Sequence, residues 1–191
     1  MGDRCSGRLD ALGLHAATCL VGGNRTATHN GQRDLWAQQL PSAGFAVHRE
    51  QHVPGWDRWV RRANGGWARQ RAVLDLRVEA PPDAPVTYLD VKVTHPCSAT
   101  YVAGAAGENG FAAQKAEDDK HARYPANTPG VSGRLVPLVV ETYGRWGKEG
   151  LRILKKATGV PPRAPRRWQY SAGRVPPPSL GLGCNARLSR S

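Results

Sequence analysis

Residues 73–94 constrain the fold more than any other part of the chain. Val73-Leu74-Asp75-Leu76-Arg77-Val78 alternates apolar and polar side chains, Ala80-Pro81-Pro82-Asp83-Ala84-Pro85 has the composition of a turn, and Val86-Thr87-Tyr88-Leu89-Asp90-Val91-Lys92-Val93-Thr94 alternates again. Period-two alternation on both sides of a turn predicts an antiparallel hairpin. With the turn centred near Pro82 and Asp83, pairing sets Asp75 roughly opposite Asp90 and puts Lys92 on the same face as Asp90. Leu74, Leu76, Leu89, Val91 and Val93 then point into a core. Two carboxylates facing each other across a strand pair repel, so the arrangement calls for a compensating cation. Lys92 supplies part of that charge and a divalent metal would supply the rest; the plain alternative is an amphipathic hairpin with a solvated polar face.

The pattern D-x(14)-D-x-K favours the metal. A hard cation such as Mg²⁺, or Mn²⁺ in its place, binds carboxylates together with phosphate and water oxygens, and an ammonium two residues along can orient or deprotonate an attacking water. The arrangement resembles the PD-(D/E)xK nuclease superfamily. Three blocks extend the likeness: Cys5 to Asn30, Leu89-Asp90-Val91-Lys92-Val93-Thr94-His95-Pro96, and Val136 to Gly147 with Glu141, Gly144 and Gly147. In this order they are similar to the C-terminal region of non-LTR retrotransposon polyproteins, where a zinc knuckle after the reverse transcriptase leads into a restriction-like endonuclease domain. The resemblance covers roughly residues 5–157. No reverse transcriptase precedes the blocks, so the resemblance implies a detached or domesticated tail of such an element, or a reading frame cut from one.

Composition points to the same class of partner. The 191 residues leave room for one core of ordinary domain size plus appendages, and 27 Lys and Arg against 15 Asp and Glu give a net charge of +12. A polyanion, most simply DNA, suits that surplus better than a neutral metabolite, because each cation meeting a phosphate releases condensed counterions. A merely soluble basic protein is the alternative. No apolar run approaches the roughly 20 residues of a membrane span, and no basic segment followed by an apolar one opens the chain. The expectation is a soluble intracellular protein, nuclear in location, with no membrane partner.

Four cysteines without a secretion signal argue for metal or free thiols before disulfides. Cys97 and Cys184 look incidental. His15 and Cys19, four apart, can bring two soft ligands to one tetrahedral zinc, with Cys5 from a preceding loop, and Gly7, Gly13, Gly22 and Gly23 permit the tight backbone required. The resemblance implies a Cys-x2-Cys opening, yet Gly2 stands where its first thiolate belongs. Either His29 completes the site, or the site has three protein ligands, or it is lost and the first 25 or so residues are poorly ordered. His29 can equally sit at a helix start beside Asn30, which can cap a helix from Gly31 to Leu40.

Leu35, Trp36 and Leu40 predict the stripe of that helix, ended at Pro41, and Phe45 to Val53 alternates as a strand carrying Glu50. The resemblance implies an acidic metal ligand upstream of the hairpin, which makes Glu50 the candidate; a solvated edge-strand glutamate is the alternative. Trp56, Trp59 and Trp67, interleaved with Arg58, Arg61, Arg62, Arg69 and Arg71, suit base stacking with phosphate contacts, or ordinary packing of the rings on the sheet. A loop through Gly110 leads to a helix from Phe111 to Tyr124, ended by Pro125, with Lys120 and Tyr124 on one face. Lys115, Lys120 and Tyr124 resemble the Lys-containing, tyrosine-ended helix after the catalytic strand of retroelement nucleases; a solvated face is the alternative.

Leu135 to Glu141 reads as a buried strand that Pro137 places at a sheet edge or starts at 138, and Lys148 to Ala157 as a helix with Leu151 and Leu154 inward. From Thr158 the chain is rich in Pro, Gly and Arg and has no acidic residue, so residues 158–191 are expected to stay disordered, as a basic arm or an appendage.

Taken together the sequence predicts an α/β protein with a restriction-endonuclease-like core, a mixed central sheet flanked by helices. A zinc-knuckle-like segment spans 1–29, the nuclease-like domain 30–157 and the tail 158–191. Its expected chemistry is Mg²⁺-dependent hydrolysis of DNA, with Asp75, Asp90, Glu50 and the Val91 carbonyl on the metal and Lys92 positioning water. Lys115, Lys120, Tyr124, Arg69 and Arg71 would meet the nucleic acid. The competing expectation is a binding module that keeps the scaffold without cleavage.

Overall fold

The computed structural model describes residues 5–8, 13–19, 21, 24–80 and 85–158. The tip of the predicted turn at 81–84, Gly2, Gly22, Gly23, Cys184 and the predicted tail beyond 158 lie outside the described residues.

A four-stranded mixed sheet is built from β1 (Ala46–His52), β4 (Val73–Glu79), β5 (Thr87–Thr94) and β6 (Arg134–Glu141), in the order β1-β4-β5-β6. β1–β4 and β4–β5 are antiparallel, while β5–β6 is parallel. Val78 pairs with Thr87 and Leu76 with Leu89, so the hairpin register centres between Pro82 and Asp83 as its alternation requires. A parallel pair needs a long crossover, and here α3 (Val102–Gly107) and α4 (Phe111–Arg123) supply it. β6 is an edge strand, which tolerates the missing N–H of Pro137.

After the short α1 (Leu14–Thr18), α2 (Asn24–Ser42) begins six residues before Asn30, so Asn30 is a helix-interior residue and not a cap. Nothing from Asn24 to Asn30 breaks a helix, and Gly31 costs only about 1 kcal/mol in its interior. Its C-terminus runs past Pro41 and closes as a Schellman motif: Phe45 N–H donates to Leu40 O at 3.2 Å and Gly44 N–H to Pro41 O at 2.9 Å, with Gly44 left-handed at φ 85°.

One face of the sheet carries the main core, where Trp36 and Leu40 of α2 meet Leu76, Val78, Leu89, Val91, Val136 and Leu138. α5 (Lys148–Thr158) covers the same cluster, but through Ile153 and Ala157, with Gly150 buried beside them. The expected inward Leu154 is 37% exposed, and on α2 the expected Leu35 is 46% exposed; Trp36, Ala37 and Leu40 form the stripe instead. Ala113 and Ala116 of α4 pack on Val139, whose side chain alternates with that of Leu138. α4 therefore lies on the opposite face, and its small residues permit close approach.

Two buried acids tie the helices to this frame. Glu141 Oε1, at the end of β6, accepts Ala113 N–H at 3.0 Å in the first turn of α4, and Glu117 Oε1 of α4 accepts Glu149 N–H at 3.0 Å in the first turn of α5. Each carboxylate satisfies an N–H that the helix cannot pair and meets the positive end of its dipole.

A second cluster joins Val53, Trp56, Ala72, Leu74, Tyr88, Tyr124 and Leu135. Trp56, in a 3-10 turn over Pro54–Trp56, stands edge-on to Tyr88 with centroids 5.4 Å apart, and its Nε1 donates to Pro125 O and Thr128 Oγ1 at 3.0 Å each. The stretch after it is a separate hairpin: β2 (Arg58–Arg61) pairs antiparallel with β3 (Trp67–Gln70). Asn64-Gly65 turns it, with Gly65 at φ 82°.

Candidate active site

Three acidic residues fall on one row across the sheet. Arg49 pairs with Leu76 and Gln51 with Leu74, so Glu50 faces Asp75; Leu76 pairs with Leu89, so Asp75 faces Asp90. Strand pairing lapses at this row on both sides. Glu50 is the one non-glycine among the described residues with positive φ, at 54°, a conformation that costs a side-chain-bearing residue free energy and often marks a functional site. β4 pairs with β5 only as far as Leu76 and Leu89, whereas β5 stays paired with β6 through Thr94. Where β4 departs, the Asp75 side chain takes over: its Oδ2 accepts Val91 N–H at 2.7 Å.

Each acid has a protein cation beside it. His29 Nε2 lies 3.2 Å from Asp75 Oδ2, Arg33 Nη1 lies 3.0 Å from Glu50 Oε1, and Lys120 Nζ bonds Asp90 Oδ2. His29 and Arg33 are one turn apart on α2, in line with the buried Trp36 and Leu40, so packing of that stripe delivers both to the row. Lys120 comes from the opposite face on α4. Burial pushes the Asp90 carboxyl up to about 6, with the Asp75 charge adding to the rise and Lys120 opposing it. Burial also acts on Asp75, but hydrogen bonds from His29 and the Val91 amide outweigh it and hold this carboxyl below its usual range. His29 is raised, chiefly by its hydrogen bond to Asp75. A proton added to the pair thus settles on Asp90.

Lys92 is half-buried on β5 and has no carboxylate partner among the described residues. It lines, with Arg25, His29, Asp90, His95 and Lys120, a cleft of about 1290 Å³ along the part of β5 that β4 leaves uncovered. The cleft lining sets Arg25, Lys92 and Lys120 against the one carboxylate of Asp90, so its charge is predominantly positive. No protein-family model matches the chain, and neither does any curated protein.

Side-chain contacts unite Asp75, Asp90, Val91 and Lys120, while Glu50 shares the row by register and is turned to Arg33 with its side chain 66% exposed. Not every expected residue joins them. Lys115 is exposed and paired with Asp119 at 3.1 Å along its own helix. Tyr124 is buried against Trp56, its phenol pushed up mainly by burial, so its ring serves the second cluster. Arg69 and Arg71 belong to the β2–β3 hairpin and its exit, Arg69 Nη2 lying 2.9 Å from Asp57 Oδ2.

Carboxylate oxygens are the donors a hard dication takes, and Asp75 and Asp90 offer two mostly buried acids in mutual electrostatic contact, with burial the main cause of the raised Asp90.

A separate group could hold a softer metal such as zinc. Cys5 Sγ lies 2.9 Å from His15 Nε2 and 3.4 Å from Cys19 Sγ, and the three ligand atoms fall within 4.8 Å of one another. The Gly7 N–H, at 3.3 Å from Cys5 Sγ, is the main cause of a lowered Cys5 pKa, with Cys19 and His15 assisting. His29, the candidate fourth ligand, is not in this group; it is turned to Asp75. Sequence reasoning did not anticipate that partner, nor Arg33 on Glu50, although their i, i+4 spacing in line with Trp36 and Leu40 carried the signal.

Proposed function

We propose that this protein is a metal-dependent DNA endonuclease of the restriction-like type. The observation that carries the reading is the strand register that sets Glu50, Asp75 and Asp90 on one row, with Lys92 two residues beyond Asp90 on the open length of β5. Asp75 and Asp90 would hold Mg²⁺ with the Val91 carbonyl, and Glu50 would join them on leaving Arg33. The metal, when bound, supplies Lewis-acid stabilisation of charge on the phosphoryl oxygens and lowers the pKa of a bound water. Lys92 would orient the attacking water beside Asp90. Lys120, released from Asp90 as the acid turns to the metal, would meet a non-bridging phosphate oxygen, while Arg25 and the cleft rim hold the strand. His29 holds Asp75 in the ionised, metal-competent form.

The pairs Lys120–Asp90 and His29–Asp75 also favour a second reading, a nucleic-acid-binding module in which protein cations permanently replace the metal. Nicking of supercoiled plasmid separates the two. The nuclease reading expects nicking with Mg²⁺, none with chelator, and at least about a hundredfold loss in Lys92→Ala with DNA affinity retained. DNA binding with no Mg²⁺-dependent nicks favours the module.

A further inference from the structure

The β2–β3 hairpin carries a surface that the cleft does not use. Its register pairs Trp59 with Arg69 and Arg61 with Trp67. Residues two apart on a strand share a face, so these four side chains form one checkerboard, each indole opposite a guanidinium and diagonal to the other indole. Arg58, which donates from Nε to Gln70 Oε1 at 2.9 Å, belongs with Val60 and Ala68 to the other face. Trp59 is 67% exposed and Trp67 is 66% exposed, against 4% for Trp56 three residues earlier. Two indoles left this open on a two-stranded sheet forfeit the burial that normally makes tryptophan worthwhile. Their surroundings indicate what covers them: residues 58–71 contain five arginines and no acid.

We propose that this face binds an unpaired stretch of nucleic acid, with bases stacked on Trp59 and Trp67 and phosphates held by Arg61, while Arg69 is held by Asp57. Stacking on an indole needs a base with a free π-face, which a duplex interior withholds and a single strand offers. The Arg61 guanidinium supplies the charge complementarity that a purely apolar docking surface would lack. The platform is rooted on the second core cluster. At its base Asp57 accepts Ala72 N–H at 2.8 Å and pairs with His52 and Arg69, and Trp56 packs on Tyr124, one helical turn beyond Lys120. The inference rests on nucleic acid being the partner, not on cleavage.

The test is binding of the full chain, without added Mg²⁺, to a fluorescein-labelled oligo-dT strand and to a duplex of equal length. Trp59→Ala and Trp67→Ala should each weaken single-strand binding about fivefold or more, leave duplex binding within twofold, and leave the unfolding midpoint unchanged because both rings are exposed. Trp59→Phe should restore most of the loss, and indole fluorescence should be quenched by oligo-dT in the parent chain. Single-strand affinity unchanged in the double alanine variant, or equal losses for strand and duplex, would overturn the platform, as would capture of a protein partner by these rings with no oligonucleotide binding. Stacking without nicking leaves the platform standing and removes the nuclease; nicking with the indoles irrelevant does the reverse.

Discussion

The backbone N–H of Val91 donates to Oδ2 of Asp75 at 2.7 Å, so a side chain of β4 stands in for the ladder bond that β4 itself no longer makes to β5. The acid is therefore both a structural patch for an opened sheet and a candidate metal ligand, and the two roles can be separated chemically. Asp75→Asn keeps an acceptor for Val91 but loses the charge, whereas Asp75→Ala loses both. Urea unfolding should show Asp75→Ala about 1–3 kcal/mol less stable than the parent and Asp75→Asn closer to it. Equal losses in both would mean that charge, not the Val91 bond, carries the stabilisation.

Asp90 titrates in the opposite sense to Asp75, and the pH dependence of stability should show it. With its folded pKa raised from 3.8 to about 6, the native state binds the extra proton between those values, so this contribution is present below pH 3.8 and lost as pH rises through 6. Asp75, with its folded pKa lowered, stabilises above its usual value of 3.8 and that contribution fades as pH falls below it. His29, raised above 6.5, adds a contribution that is full below 6.5 and declines at higher pH. Unfolding measured from pH 4 to 7 should contain a descending component in the parent chain that Asp90→Asn abolishes.

The Cys5, His15 and Cys19 group should bind one zinc per chain independently of His29. Release of zinc to a chromogenic chelator should be lost in Cys19→Ala and unchanged in His29→Ala, because His29 Nε2 is committed to Asp75 at 3.2 Å. Loss of zinc in His29→Ala would return that residue to the metal.

On α5, Ile153→Ala should cost about 2–3 kcal/mol in unfolding free energy and Leu154→Ala less than about 1 kcal/mol, since only Ile153 packs on the main core.

The same helix shows where sequence reading runs out. Gly150, Ile153 and Ala157 form one stripe and Leu151 and Leu154 the next, both apolar, and only the sheet beneath decides which turns inward. The β4–β5 hairpin was legible because alternation and prolines fix its register locally, and that register alone puts Asp75 opposite Asp90. The departure of β4 from β5 was not, since it depends on a side chain bonding a neighbouring strand. His29 was open to two readings for a related reason: it could stand in for a missing zinc ligand or sit on a helix, and the α2 stripe, set by burial of Trp36 and Leu40, carries it to Asp75. The second hairpin left a usable mark in Asn64-Gly65, flanked by strand-forming Trp and Val, which the density of arginines obscured.

Mn²⁺ binding followed by electron paramagnetic resonance, read beside Mg²⁺-dependent plasmid nicking, asks whether Asp75 and Asp90 together hold one divalent ion for cleavage. One Mn²⁺ per chain should bind at the acidic row, be lost in Asp75→Asn and Asp90→Asn and be kept in Lys92→Ala, with nicking lost from all three. Mn²⁺ bound equally well by Asp90→Asn, or nicking undiminished in it, would remove the acidic pair from the metal and from cleavage.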